Sequence, residues 1–406
     1  TTDIGILRKG YPRLEKEGAM IGNRRTRVMA AEISTTGIGG DSRIAVNGNR
    51  FILESLRVIP LCMAAKQWPQ LLLRLKSVAE AASGFSPESM DVRNIIQDTE
   101  FFIKIKDLKN SSISREDKEL LDLISDEPFS LKEASTELGI HPFTFNISRM
   151  EELGIVQRIG LTPTDILHAE GSYTEYDRSA SEYAITHHAK KMNMSLDEFV
   201  AFAKEKVTDK LAESLLRKLF FEETNTIEIG AVGADLMGKA ISGQDGFDFG
   251  CRIILNKPLI GIGAPVSAWL PQVAEKFGTG LLLPEHSEVG NAVGAVTGSV
   301  IESMDILLKP AAGENSMEDP SCIMFAPYGR FEFEKLSEAE VFAMEESGRL
   351  VKERAQKAGA EHIEVRSEKF EKKVGMKKGY DGHILIEKKI TITAVGKPRF
   401  KAEGYT

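Results

Sequence analysis

The sequence predicts an α/β fold, and three patterns carry that expectation. From about 250 to 302, strand-like and helix-like stretches alternate: a strand running into Gly261-Ile262-Gly263, a helix from about Val266 to Phe277, a strand at Gly280 to Leu283, and a Gly/Ala-rich helix from about Val289 to Glu302. That succession is the sequence form of strand–helix units. Near the start, Arg43 to Val46 and Phe51 to Leu53 flank Asn47-Gly48-Asn49, and Asn-Gly between short apolar runs signals a hairpin. In the middle, Leu196, Phe199, Val200, Ala203, Val207, Leu211, Leu215 and Leu219 recur near the helical period between Ser195 and Phe221, as the buried stripe of a long helix does.

The remaining elements follow in chain order. Ile4 and Ile6 read as a strand, Gly10-Tyr11-Pro12 as a turn, Thr26 to Ser34 as a strand, and about Met63 to Ala82 as a helix ending near Gly84. Between 114 and 160 the pattern is that of a winged helix-turn-helix. Ser114 caps a helix carrying Leu120, Leu121, Leu123 and Ile124; Leu131 to Leu138 ends at Gly139; Pro142 to Leu153 ends at Gly154; and Ile155 to Ile159 is a short strand. Ile241 to Asp248 reads as a loop. From about Glu332 a charged helix runs to about Ala360, with strands at Ile363 to Phe370, His383 to Glu387 and Ile390 to Val395. Four segments result: 1–113 and 161–331 as two parts of one α/β domain, 114–160 as an insert, and 332–406 as a small α/β appendage.

Composition narrows the function classes. With 406 residues and 42% hydrophobic content the chain can bury a large core. A net charge of −8 supplies no broad basic surface, so nucleic acid is not expected as a partner. Cys62, Cys251 and Cys322 lie far apart without CxxC spacing, as reduced thiols of a cytoplasmic protein would. The apolar run from Ile253 to Leu283 is interrupted by charges, glycines and prolines, so no membrane span is expected. The chain opens on Thr1-Thr2-Asp3 without methionine, and a longer polypeptide or a partner subunit is expected to precede it.

Three glycine-bearing segments carry the candidate chemistry. In Thr1-Thr2-Asp3-Ile4-Gly5 two hydroxyls suit phosphate oxygens and the aspartate suits Mg²⁺, although the same residues also make an ordinary strand start. In Ser34 to Ser42, Gly37, Gly39 and Gly40 let the backbone approach an anion, and Ser42 adds a hydroxyl; a simple β-turn is the competing reading. Gly261, Gly263, Ala264 and Pro265 lie between a strand and a helix, where small residues leave room for a base or a phosphate at a helix N-terminus.

These residues resemble a known family. Leu259-Ile260-Gly261-Ile262-Gly263-Ala264-Pro265, Leu283-Pro284 and Val289-Gly290-Asn291-Ala292-Val293-Gly294-Ala295 look like the adenosine-contacting and second connecting segments of the hydantoinase A/5-oxoprolinase family. Thr1 to Gly5 is similar to the end of that family's Asp-x-Gly-Gly-Thr-Thr-Thr-Asp phosphate loop, Gly37 to Ser42 to its next glycine turn, and Thr162-Pro163-Thr164-Asp165-Ile166-Leu167-His168 to its Pro-Thr-x-Thr-Asp-type segment. The likeness covers most of residues 1–60 and 160–310, while the phosphate loop's own Asp and Gly-Gly are absent and the winged-helix-like segment is an insertion.

The resemblance implies a ribonuclease H-like/actin-like ATPase domain, ATP and Mg²⁺ as cofactors, and oligomeric assembly. It implies ATP-dependent hydrolysis of a cyclic amide of the hydantoin or 5-oxoproline type, or a related ATP-dependent carboxylation. Asp3, Asp165 and His168 become the candidate catalytic residues, with Asp3 also the metal ligand. Thr1, Thr2, Gly37, Gly39, Gly40, Ser42, Gly261, Gly263, Ala264, Pro265 and Asn291 become the nucleotide contacts. His168 can equally be a hydrogen-bonded structural histidine. His187 and His188 are adjacent and point about 100° apart on a helix, so they make no metal pair. The competing function is an ATPase-fold regulator or scaffold with an internal helix-turn-helix; against DNA reading, the third helix offers only Arg149 beside Glu151 and Glu152.

Overall fold

The Asn-Gly hairpin forms as its turn chemistry dictates. Ser42–Asn47 pairs antiparallel with Arg50–Arg57, and Gly48 takes φ +55°, a left-handed value that favours glycine. In this computed structural model the described residues are 1–8, 10–12, 14–15, 20–21, 24–25, 30–81, 96–106, 113–124, 127–224, 228–243, 248–311, 313, 318–375 and 383–399. They are mixed α/β, in two compact units, Thr1–Glu285 and His286–Thr406.

In the first unit, Thr2–Gly5 pairs antiparallel with Ile33–Thr36. The strand expected from Thr26 to Ser34 is described as Ala30–Ala31 and Ile33–Thr36; its first residues, 26–29, lie outside the described residues. Tyr11–Pro12, expected in a turn, instead pairs with Leu7–Arg8.

The helix expected from Met63 to Ala82 is two helices, Leu61–Gln67 and Gln70–Glu80. Pro69 is the reason. Its ring disfavours the α region for the residue before it, and Trp68 sits at φ −125°, ψ 83°. The expected helix end near Gly84 lies outside the described residues.

The winged-helix-like segment forms with its caps. The Ser114 hydroxyl accepts from the Asp117 amide at 3.0 Å. Ser130 and Glu133 make a reciprocal capping box, and Gly139 ends that helix at φ +66°. The third helix divides into a 3-10 turn, Pro142–Thr144, and the helix Ile147–Glu152, because Asn146 starts a new cap. Leu120, Leu131, Met150 and Ile155 share a buried core with Phe102.

The strand Val156–Gly160 is the centre of a three-stranded sheet, antiparallel to Phe101–Lys104 and parallel to Ile59–Pro60. The sheet therefore draws on residues upstream of 114. It packs with the hairpin and the helices Leu61–Gln67, Gln70–Glu80 and Arg178–Lys191 into one core around Ile44, Leu71, Phe101, Ile159 and Phe199. Pro163–Glu170 was not among the helices expected from sequence, while Arg178–Lys191 contains the helical stretch on which His187 and His188 were placed.

The long helix spans Leu196–Thr224. Leu259–Ile260 and Leu281–Leu282 are parallel, joined through the helix Val266–Lys276, and Val273 and Phe277 pack against Ala212 and Leu216 of the long helix. Ile241, expected to open a loop, closes the helix Ala231–Ser242, which stops at left-handed Gly243; residues 244–247 of the expected loop lie outside the described residues.

The second unit is a five-stranded antiparallel sheet covered by the helix Leu336–Lys357. Its strand order is Gly329–Phe333, Cys322–Ala326, Val300–Pro310, His383–Pro398, Ala360–Gly375. The helix expected to reach Glu302 ends at Thr297, because Gly298 leaves the helical region at ψ 153° and Val300 and Ile301 enter the central strand. This unit therefore starts upstream of residue 332. Among the described residues no helix is long and apolar enough to cross a membrane.

A buried ion network ties the first unit together. Glu100 is buried and accepts from Arg43 Nε at 2.5 Å and Arg158 Nη1 at 2.8 Å, while Arg43 also reaches Glu54 and Arg158 reaches Glu151. Burial pushes the Glu100 carboxyl up, but the charges of Arg158 and Arg43 outweigh it and hold the group below the ordinary carboxylate range. A carboxylate depressed in the folded state contributes stability above its unfolded pKa and loses it as pH falls through the folded value. Glu100→Gln should therefore lower stability by about 3–5 kcal/mol near neutrality by leaving two buried cations short of charge. The deficit should narrow in acid; urea melts at neutral and acid pH check both, and a neutral substitution at both pH values would contradict the assignment.

Candidate functional site

The candidate site is built around the glycine turn at 37–40, where three parts of the first unit converge too closely for side chains. An added Cβ at Gly37 would lie 2.3 Å from Ser55 Cβ, at Gly39 2.4 Å from the Thr1 nitrogen, and at Gly40 2.7 Å from Thr164 Oγ1. Each glycine has its own neighbour. The turn is also tied from within: Ser42 Oγ accepts from the Gly39 amide at 2.9 Å and donates to the Gly37 carbonyl at 3.0 Å. From outside, Thr164 donates both its amide and its hydroxyl to the Gly40 carbonyl.

The first strand lies along this turn. The Thr2 hydroxyl donates to the Ile38 carbonyl at 2.7 Å. Asp3 stands directly opposite Thr35, and the Thr35 hydroxyl donates to Asp3 Oδ1 at 2.6 Å. Asp3 is exposed. Asp41 holds Arg57 Nε at 2.5 Å and lies 3.9 Å from the Thr1 nitrogen. Arg57, 72% exposed along its side chain, gives the rim a cation that the sequence reading missed; nothing local to Leu56-Arg57-Val58 marks it, since its place follows from the register of the hairpin. Thr1, Thr2, Asp3, Gly37, Gly39, Gly40 and Ser42 are thus one cluster.

Asp165 and His168 lie beneath that cluster, both buried. Asp165 accepts from the amides of Cys62 at 2.8 Å, Thr162 at 2.9 Å and Leu61 at 3.2 Å, and from the hydroxyls of Thr162 at 2.8 Å and Ser181 at 3.0 Å. His168 Nδ1 faces the Thr164 carbonyl at 2.8 Å and so donates; Nε2 accepts from the Tyr176 amide at 3.0 Å. The Tyr176 ring stacks on it. Cys62 Sγ lies 3.6 Å from His168 Nδ1, but burial first and the Asp165 charge second push the thiol far up, which leaves it protonated and unreactive.

The second glycine turn has its own geometry. Gly261 is buried, and a Cβ there would meet Leu270 Cδ1 at 2.6 Å and Leu283 Cδ2 at 2.7 Å. Gly263 takes φ +125°, a conformation few side chains adopt. Ala264 and Pro265 are exposed at the start of the helix Val266–Lys276. Asn291, exposed on the helix Gly290–Thr297, belongs to the second unit.

Among the described residues no three His, Cys, Asp or Glu side chains stand together as a metal cage. Asp3 would therefore offer one carboxylate ligand, which is how Mg²⁺ is commonly held when phosphates and water complete its shell.

Comparisons with protein-family models, with curated proteins and with solved structures found no match.

Removing the carboxylate beneath the turn should damage folding rather than expose a chemical defect. Asp165→Ala strands the buried amides of Leu61, Cys62 and Thr162, each costing about 1–3 kcal/mol when left unpaired. The expected result is a large loss of stability in thermal melts, with Thr162→Ala causing a smaller loss in the same direction; a Asp165→Ala protein that melts like the parent would refute the positioning role.

Proposed function

We propose that the rim of the glycine turn is part of a Mg²⁺–ATP phosphate cradle in an enzyme of the hydantoinase/5-oxoprolinase type. The observation that carries the reading is that the strand bearing Asp3, tied to the turn by the Thr2 hydroxyl on the Ile38 carbonyl, and the Arg57–Asp41 pair, 3.9 Å from the Thr1 nitrogen, both flank a turn whose glycines admit no Cβ. Glycine backbone, hydroxyls, a carboxylate for the metal and a guanidinium are the parts a phosphate site uses. The resemblance of Leu259 to Pro265 to an adenosine-contacting segment supports the same reading, as does the mixed α/β architecture; a ribonuclease H-like/actin-like arrangement of the domain is part of the proposal.

Bound Mg²⁺–ATP would supply phosphoryl transfer to an amide or bicarbonate oxygen, so the protein needs positioning and electrostatics more than a nucleophile of its own. Asp3 would hold the metal, Arg57 and the Thr1 hydroxyl would meet phosphate oxygens, and Asp165 and His168 would act as positioning residues that keep Thr164 against Gly40. The substrate is proposed to be a cyclic amide or a molecule to be carboxylated.

Asp3→Ala tests the cradle without disturbing the fold, since the side chain is exposed and bonded to Thr35. Mg²⁺–ATP titration of the protein purified from its native source should give affinity at least about tenfold weaker in the variant, the cost of a charge-assisted contact. Unchanged affinity would remove Asp3 from the site.

A second reading, a regulator that binds DNA through the helix-turn-helix, draws on the capped three-helix segment around 114–160. Its third helix opposes this: Arg149 faces Glu152, and Glu151 is engaged by Arg158, which leaves little cationic surface for phosphates. Fluorescence anisotropy with mixed-sequence duplex DNA at about 50 mM salt, where electrostatic binding is favoured, should show no binding tighter than about micromolar. Tighter, salt-sensitive binding that Arg149→Ala abolishes would promote the regulator.

A further inference from the structure

The second unit carries a basic cleft that plays no part in the proposed cradle. It lies where the helix Leu336–Lys357 meets the start of the strand Ala360–Gly375, has a volume of about 580 Å³, and is lined by Lys352, Gln356, Glu361, His362 and Arg399. That size suits a small molecule. Among the described residues neither the Lys352 nor the His362 side chain makes a hydrogen bond or an ion pair. Arg399 is engaged through Nε with Glu361 at 2.7 Å. Glu361 is the one acid in the lining, and its charge is already matched.

The backbone here is arranged to present His362. A register shift between Glu361 and Glu364 marks a β-bulge opposite the partner strand, and His362 takes φ +51°. A left-handed histidine is a cost an ordinary edge strand does not incur, and bulges are a way of re-aiming a side chain. Gly396 makes the bulge possible, since a Cβ there would lie 2.8 Å from Ala360 Cβ and 2.9 Å from the Glu361 carbonyl.

Electrostatics point the same way. The helix ends at Lys357, and its carbonyl end is compensated by Arg354 and Lys357 in the last turn. Lys352 lies more than a turn earlier, and its charge remains available to the cleft. Lys397 stands opposite Glu361 in the strand pairing. With Arg399 and Glu361 paired, the lining keeps one uncompensated cation, Lys352, in a chain of net charge −8, and a positive lining in a concave surface attracts anions.

We infer that this cleft binds a phosphorylated small molecule, with Lys352 and His362 meeting the phosphate and the Arg399–Glu361 pair forming the opposite wall. The site is separate from the proposed nucleotide cradle and does not rest on it. Isothermal titration of the full chain with inorganic pyrophosphate at about 50 mM salt, where charge attraction is little screened, tests it. Saturable binding should weaken about tenfold in Lys352→Gln, the usual effect of removing one charged hydrogen bond. It should weaken also in His362→Asn, which keeps a residue tolerant of the left-handed backbone while removing the imidazole. Asp3→Ala should leave this binding untouched, which separates the cleft from the cradle. No saturable binding, or binding that is indifferent to both cleft variants, overturns the inference; if His362→Asn does not fold, the exposed Lys352→Gln decides alone.

Discussion

A single buried carboxylate sets the geometry of the first unit. Asp165 receives the amides at the start of Leu61–Gln67, the amide and hydroxyl of Thr162, and the hydroxyl of Ser181 on Arg178–Lys191. Three helices are thereby held at one point. Helix N-termini and hydroxyls supply the compensation for its charge, in the manner expected where partial positive charge collects. Because Thr164 follows directly from this anchor and grips Gly40, the position of the glycine turn depends on a group buried beneath it. The rim above can then carry Asp3 and Arg57 in the open without needing them for stability.

The two candidate turns are rigid for different reasons. At 37–40 the constraint is crowding by side chains and backbone from distant parts of the sequence. At 263 it is the backbone angle itself, so any bulky replacement there would strain the chain whether or not a ligand is bound.

Much of the local structure was legible because its causes are local. Asn47-Gly48 makes its hairpin, Ser114 its cap, and Gly139 and Gly154 their left-handed stops. The break at Pro69 was legible in principle, yet the apolar period runs through it and the two helices read as one. Val300 to Pro310 was obscured because the helix read from the Gly/Ala run was carried on to Glu302, whereas Gly298 and pairing with residues near 390 decide for strand. The site divides in the same way. The sequence marks Gly37, Gly39 and Gly40 as positions of close approach, but Ser55, Thr1 and Thr164, which make the approach close, come from elsewhere in the chain. The burial of Asp165 depends on partners more than a hundred residues upstream, a distance over which no spacing pattern speaks.

The crowding at the glycine turn also limits how the protein can vary. Residue 37 faces 55, residue 39 faces 1, and residue 40 faces 164, so each pair shares one fixed volume. A methyl gained on one side has to be given up on the other, or the strand, hairpin and helix that meet there must separate. This corner can therefore change by coupled replacement and not by independent drift at each position. For the same reason the segment Gly37 to Ser42 is not a portable motif: transplanted without Thr1, Ser55 and Thr164, it would be a floppy loop with nothing to press against.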